Sequence, residues 1–486
     1  MSKEQEVRVP LRGQADPEGR LTGCLAFTSI VATLASFQFG YHIGCVNAPG
    51  TLIQTWFQKS HKDLFDSHLN EDNAKLAWSV AVSMFAVGGM IGGLSVGWLA
   101  DKFGRRGAMM YNNLLALAAA ALMGLAKSVN VYPMIIIGRL IIGLNAGISS
   151  GLVPMYLTEV SPINLRGTLG SLPQLLVTIA ILVSQIYGHP SLLGDDQKWP
   201  LIFAFTIVPA VLQLVLLAFC PESPKYLISV RGQPEKATAS LKKLRGTDDV
   251  TDEINLMLEE AAAQQQAEKV SIGAMFKANL RWPITIAIIM MFAQQFSGIN
   301  VVMFYSTFIF TQAGLTGDEP FYATIGVGVV NVLMTVVSVY IVEKFGRRPL
   351  MLTGLVGMFI TTASLVGALS GIYAYENEKW ISYVAIVIVF AFVIAFATGP
   401  GSIPWFFVSE IFDSSARGSA NSIAVMTNWL ANLLVSLSFL PLNNLLKQYT
   451  FLMFTTLLGV FIFFTAKFVP ETKGRTLEQI QAAMKH

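Results

Sequence analysis

Nine carboxamides sit where hydrocarbon is expected: Gln38, Gln174, Gln185, Gln294, Gln295, Asn300, Asn331, Asn428 and Asn432 all fall inside apolar runs. Each offers two N–H donors and two acceptor lone pairs, so a group of them can read hydroxyls without fixing a charge. Trp405 adds an aromatic plate suited to an apolar C–H face. Three of the amides share the stretch "AQQFSGINVVMFYS", residues 293–306. On an unbroken helix Gln295 and Asn300 would point about 140° apart. Ser297-Gly298 lies between them, where a helix bends or unwinds. A break there would turn both amides toward one space, and broken helices inside a membrane line cavities. Phe304 and Tyr305, just beyond, then become candidates for a gate on the outer side. "GPGSIP", residues 399–404, supplies a matching break toward the inner side, where Pro400 and Pro404 each remove a backbone donor. The competing reading is that amides glue helices together, at about 0.6–2 kcal/mol per contact. Gln185 taken alone is read that way; Gln174, Gln294, Gln295, Asn300, Asn331, Asn428 and Asn432, together with Trp405, are read as lining a cavity.

A second chemistry is ionic. Asp101, Arg105, Arg106, Glu159 and Arg166 mark the ends of apolar runs, and Glu343, Arg347, Arg348, Glu410 and Arg417 repeat them about 250 residues later. Exposed pairs contribute only ~0–1 kcal/mol each, which suits a latch that must open. Arg grips carboxylates with a planar fork and stays charged. Arg139, in "IIIGRLIIG", is embedded, and because Glu159 shares its span it is assigned to the same network. No nucleophile–base pair, metal-ligand spacing or cofactor motif is present, so no enzyme activity, metal or cofactor is expected. Cys24, Cys45 and Cys220 lie in or beside apolar runs and read as packed thiols.

The elements that must position these residues follow from composition. The chain has 486 residues, 53% hydrophobic and 13% charged, with a mean hydropathy of +0.56. Soluble domains carry about 25% charged residues, so much of this surface faces lipid. The net charge of +3 gives no nucleic-acid footprint. Apolar runs long enough to cross a bilayer are predicted near 21–46, 76–99, 108–126, 132–157, 168–188, 200–220, 283–312, 321–342, 350–372, 381–408, 419–440 and 447–468. The first is too long for a cleavable signal and reads as an anchor. Twelve spans put both termini on one face, which also collects most of the Lys and Arg and is therefore expected to be cytoplasmic. The expected organisation is a polar tail (1–20), a six-helix half (21–220), a cytoplasmic helical linker (221–282), a second six-helix half (283–468) and a C-terminal tail (469–486).

The halves repeat. "DKFGRR" (101–106) is matched by "EKFGRR" (343–348), Glu159 precedes Arg166 by the seven residues that separate Glu410 from Arg417, and "PESPK" (221–225) is matched by "PETKG" (470–474). With "QQFSGIN" (294–300) and "GPGSIPW" (399–405), these motifs in this order resemble the sugar-porter family of the major facilitator superfamily. "FQFGYHIGCVNAP" (37–49) is closest to the animal facilitative hexose transporters. The resemblance runs from about residue 20 to 476. It implies a pseudo-symmetric twelve-helix fold, hexose binding by Gln174, Gln294, Gln295, Asn300, Asn331 and Trp405, and pocket positions for Phe396 and Asn428. It also implies that the ionic clusters, joined by Glu222 and Glu471, stabilise an outward-facing state.

Three departures bear on function. Proton-coupled relatives place an Asp after the Gly-Tyr pair of the first span; here it is His42. Glucose-selective animal members tend to carry Gln-Leu-Ser before the paired glutamines, where this chain has Met291-Phe292-Ala293, and an acidic residue is common at the position of Ala397. The expectation is a plasma-membrane uniporter for glucose, with fructose a second substrate, partnered by sugar and lipid and by no obligate protein. The alternatives are a proton-coupled symporter of the same fold and a non-transporting sugar sensor.

Overall fold

Long apolar helices dominate a computed structural model of the chain, which describes residues 19–266, 268–375 and 378–484. The side chains of Ala278, Glu343, Phe406 and Ser414 fall outside the described set, as does most of the predicted N-terminal tail. The first half contains α1 (Gly23–Gly44), α2 (Gly50–Phe65), α3 (Glu71–Val129), α4 (Pro133–Val160), α5 (Arg166–Tyr187), α6 (Trp199–Ala204) and α7 (Ile207–Leu217). The linker carries α8 (Pro224–Ser229), α9 (Pro234–Arg245) and α10 (Thr251–Gln266). The second half contains α11 (Arg281–Gln295), α12 (Ile299–Gln312), α13 (Glu319–Lys344), α14 (Arg347–Ala374), α15 (Lys379–Thr398), α16 (Ile403–Ile411), α17 (Ser414–Leu446) and α18 (Thr450–Phe468), followed by α19 (Leu477–Ala483).

Ten of the described helical stretches are long and apolar enough to cross a membrane, and they overlap the twelve predicted segments. Two hold a pair each. The 59 residues of α3 run through a break at Gly104, where φ is +79°, and residues 415–468 break at Lys447, where φ is +49°. At 1.5 Å per residue, α3 is about 88 Å long, far beyond one ~30 Å crossing. Glycines bring backbones together inside the halves: a Cβ at Gly88 would lie 2.2 Å from Leu140 O, and one at Gly147 2.4 Å from Gly89 O. Close backbone approach replaces the hydrophobic drive that lipid does not supply between helices.

The region 48–75, which falls between the first two predicted spans, contains α2. Its Trp56 and Phe57 are buried, with Trp56 5.3 Å from Trp199 and Phe57 5.1 Å from Tyr132, centroid to centroid. Such an amphipathic helix caps the ends of the spans without crossing.

The linker helices are fastened to the first half. Arg245 donates to Val160 O at 2.7 Å and pairs with Glu253 at 2.7 Å, while Thr22 donates to Leu244 O at 2.8 Å. The linker reaches the second half through Val270, whose N–H donates to Ser415 O at 3.2 Å and whose carbonyl accepts from Ser419 at 2.6 Å.

Candidate binding site and its two closures

The predicted break in "QQFSGIN" is present. The first helix, α11, ends at Gln295, Gly298 takes φ +92°, and α12 begins at Ile299. Gly298 lies against the Phe454 ring, 3.1 Å from where a Cβ would stand, so both its dihedral and its neighbour select glycine. The break lets Asn300 donate to Gln295 Oε1, which the 140° separation of a straight helix would forbid.

Four amides then close into a network. The Gln295 amide donates to Asn428 Oδ1 at 3.1 Å, and Asn428 donates to Gln294 Oε1 at 2.6 Å. Gln294 donates to Pro400 O at 2.9 Å and Gly401 O at 2.8 Å. Thus one broken helix supplies the donor for carbonyls freed by the other, between α15 and α16. All four amide residues are at most 9% exposed, yet each still has hydrogen-bonding capacity to exchange with a polar ligand.

Of the other predicted binding residues, Asn331 is buried and Gln174 is exposed, and neither carboxamide has a hydrogen bond to protein among the described residues. Trp405 is 40% exposed, and Phe396 is half-buried beside Gly401. Gln38 and Gln185 stand apart from this network. Gln38 is held inside the first half by Asn113 at 3.0 Å and Gln213 at 3.4 Å. Gln185, expected to glue helices, presses on Gly328 of α13, and neither of its amide atoms has a partner among the described residues.

On the face opposite the linker the halves are joined. Asn47 donates to Met303 O at 2.8 Å and Ser306 Oγ at 2.7 Å, and accepts from the Thr307 N–H at 3.0 Å. The predicted gate residues Phe304 and Tyr305 are buried beside it. The Tyr305 backbone departs from helix at φ −134°, and its hydroxyl donates to Ser436 O at 3.3 Å. Trp429 stands on Gly89 across the halves, 2.6 Å from where a Cβ would lie. Asn47 and Trp429 were missed from sequence, although an Asn just past an apolar run and the pair Gly88-Gly89 were visible signals.

On the linker face the ionic residues form two clusters, one in each half. Arg105 grips both Glu159 oxygens at 2.8 and 2.9 Å and meets Asp101 at 3.5 Å. Arg347 holds one Glu410 oxygen at 3.1 and 2.9 Å. Ser223 and Thr472, unremarked in the sequence, donate their hydroxyls to Glu159 and Glu410 in turn. Glu222 accepts the N–H groups of Arg105, Arg106 and Ser223, and Glu471 those of Arg347, Arg348, Thr472 and Lys473. Each carboxylate satisfies open N–H groups where a span begins, where the helix dipole also favours an anion. Burial nevertheless pushes the Glu222 carboxyl above the ordinary carboxylate range. Arg106 donates to Cys220 O at 2.9 Å, and Arg348 to Ala466 O. Among the described residues, Arg166 and Arg417 hold the carbonyls of Ser161 and Phe412 and no carboxylate. Among the described residues no ion pair joins one half's cluster to the other's. The Glu343 side chain lies outside the described residues.

Arg139 requires a correction. It lies near the start of α4, about 30 Å along the helix from Glu159, so it cannot join the linker-face cluster. Fully buried, it donates to His42 O at 2.8 Å and Val82 O at 3.4 Å, with its guanidinium 4.6 Å from the Phe85 centroid. Its span runs from the opposite face toward the linker face, which places an early residue far from the latch. His42 itself is tied to Thr206 Oγ1 at 2.6 Å.

Repeated ionic clusters, two broken helices and closure on one face define a multi-span membrane protein built from two similar halves around an interrupted centre. The sequence profile described as "Sugar (and other) transporter" matches residues 28–484, and the chain belongs to that family. It is 70% identical over 468 residues, 96% of this chain and 92% of the relative, to "Facilitated glucose transporter protein 1" of Caenorhabditis elegans. Over 462 residues it is 46% identical to "Solute carrier family 2, facilitated glucose transporter member 3" of Gallus gallus, covering 95% of this chain and 92% of that one. Among solved structures, the partially occluded inward-open xylose transporter XylE from E. coli superposes with a TM-score of 0.77 at 28% identity, covering 94% of this chain and all of that one. The proton:xylose symporter XylE bound to 6-bromo-6-deoxy-D-glucose gives 0.74, also at 28% identity, with 96% and 100% covered.

Proposed function

We propose that the protein is a facilitative hexose carrier of the plasma membrane, with both termini and the linker in the cytoplasm, moving glucose and also fructose down their gradients. The observation that carries this reading is the amide network of Gln294, Gln295, Asn300 and Asn428 at the meeting of two helix breaks. A sugar hydroxyl is both donor and acceptor and can replace any link in that network. Asn331, Gln174 and Trp405 supply further contacts, with Phe396 completing the pocket. No charge grips the ligand, so release stays fast.

The two halves, 21–220 and 283–468, rock about this site. Here the Asn47 contacts hold the extracellular side closed. When the cytoplasmic side closes instead, Glu410, Arg166, Arg417 and their neighbours meet the facing half and act as the latch, so Glu410→Gln biases the carrier toward the cytoplasm-open state. Equal labelling of a cytoplasmic-side cysteine reporter in mutant and parent would count against the latch.

The likeness to a proton:xylose symporter makes coupling the reading to beat. His42, engaged with Thr206 in place of a span-one carboxylate, favours uniport. The deciding experiment is uptake of labelled glucose by proteoliposomes, competed by fructose, galactose and mannose, from pH 5.5 to 8 with and without protonophore. Failure to move any hexose overturns the proposal, and accumulation against the gradient driven by protons overturns uniport.

A further inference from the structure

A cavity of about 590 Å³ opens on the linker side between the start of the third predicted span and helices α8 and α9. Its walls bring together Arg106, Arg231, Lys236 and Lys243, with Glu222 as the sole carboxylate. Three backbone N–H groups already engage that carboxylate. Lys236, Ser240 and Lys243 are spaced four and three apart on α9, which puts them on one helix face. Both lysines are exposed, and neither has an ion pair or hydrogen bond among the described residues. Other linker cations behave differently, since Arg245 pairs with Glu253 and Lys225 with Glu260. Arg231 is oriented by the Tyr226 hydroxyl at 2.7 Å and Lys102 O at 3.1 Å, and Phe103, Pro221 and Leu227 supply apolar wall.

Charge that only fixes topology needs neither a concavity nor a shared helix face. Convergent, unneutralised Lys and Arg at a membrane surface select multivalent phosphate. We propose that this cavity binds a ligand bearing two or more phosphate groups, presented as an inner-leaflet lipid headgroup or as a free polyphosphate. The lipid route rests on the cytoplasmic placement proposed above; the binding itself does not depend on sugar transport. An occupant would bridge α9 to Arg106, beside the first-half ionic cluster.

The test uses the full chain in neutral detergent micelles. Soluble inositol 1,4,5-trisphosphate is titrated by calorimetry, and a fluorescent phosphatidylinositol 4,5-bisphosphate by anisotropy. Saturable binding that weakens at least about tenfold in the double variant Lys236→Gln/Lys243→Gln supports the site. The control Lys269→Gln/Lys277→Gln removes the same charge elsewhere on the linker and is expected to leave binding unchanged. Loss with both probes means either source serves; loss confined to the lipid assigns the membrane, and loss confined to the soluble probe assigns a cytosolic polyphosphate. No saturable binding of either probe by the parent, or equal weakening in both double variants, overturns the proposal. Because the readout is binding, failure of hexose uptake leaves this result standing.

Discussion

The same motif set folds twice in this chain, yet the two copies differ in how tightly they are held. In the first half, Arg105 engages both oxygens of Glu159 and the two side chains are each 10% exposed. In the second, Arg347 meets one oxygen of Glu410, and the side chains are 21% and 27% exposed. The linker helices are anchored to the first half beside its cluster; the second has the short α19. The amides divide the same way. In the first half Gln38 donates to both Asn113 and Gln213, and Asn112 and Asn145 exchange side-chain donors with each other's backbone carbonyl at 3.1 and 2.9 Å. In the second half the amides gather where two helices are interrupted. Duplication supplied two similar bundles; the first is the more tightly held, and on the proposed reading the second carries most of the sugar site.

The strongest way to break that contrast is to remove one amide from each half. Gln295→Leu strands Asn428 and Asn300 and removes a hydroxyl partner, and is expected to lower hexose kcat/KM on the order of 10–100-fold. Gln38→Leu is expected to lower the melting temperature while leaving KM within about twofold. Comparable rises in KM for both would end the distinction.

The second contrast concerns the ion clusters. Arg105→Ala leaves a nearly buried carboxylate unpaired, a change of about 3–5 kcal/mol in comparable sites. Arg347→Ala, in a wetter site, is expected to cost roughly 1–2 kcal/mol. Thermal unfolding in detergent should show the larger drop for Arg105→Ala; a reversed order would refute the ranking.

Smaller effects separate the halves by pH. Burial raises the Glu222 carboxyl pKa, so its contribution to stability is complete below the unfolded value and is lost as pH rises through the folded one. The melting temperature of the parent relative to Glu222→Gln should therefore fall as pH rises from 4 to 7. Asp413 behaves oppositely. The Ser415 hydroxyl and the Ala416 N–H hold it below its usual range, so its contribution is present above the unfolded value and disappears as pH falls through the folded one. Asp413→Ala removes the N-cap of α17 and should cost about 1 kcal/mol at neutral pH, the smallest shift of the series. An unchanged melting temperature would show that the cap does not contribute.

Much of this was legible in the sequence because the signals are local. Apolar length locates spans, Gly298 and the Gly-Pro pairs locate breaks, and the paired motifs reveal the duplication. Arg139 was misassigned because sharing a span with Glu159 says nothing about separation along it. Asn47 was overlooked because its partners lie more than 250 residues away. Helix α2 falls outside the predicted spans because its apolar face is too narrow to register as one.

What the sequence determined alone is the solvent of the fold, the number of apolar segments and the chemistry available inside them, since hydropathy and backbone freedom belong to individual residues. The tertiary structure decided which carbonyl each amide satisfies, which face is closed and which cations stay unpaired. Those outcomes depend on what stands opposite, and only packing brings distant segments into hydrogen-bonding range.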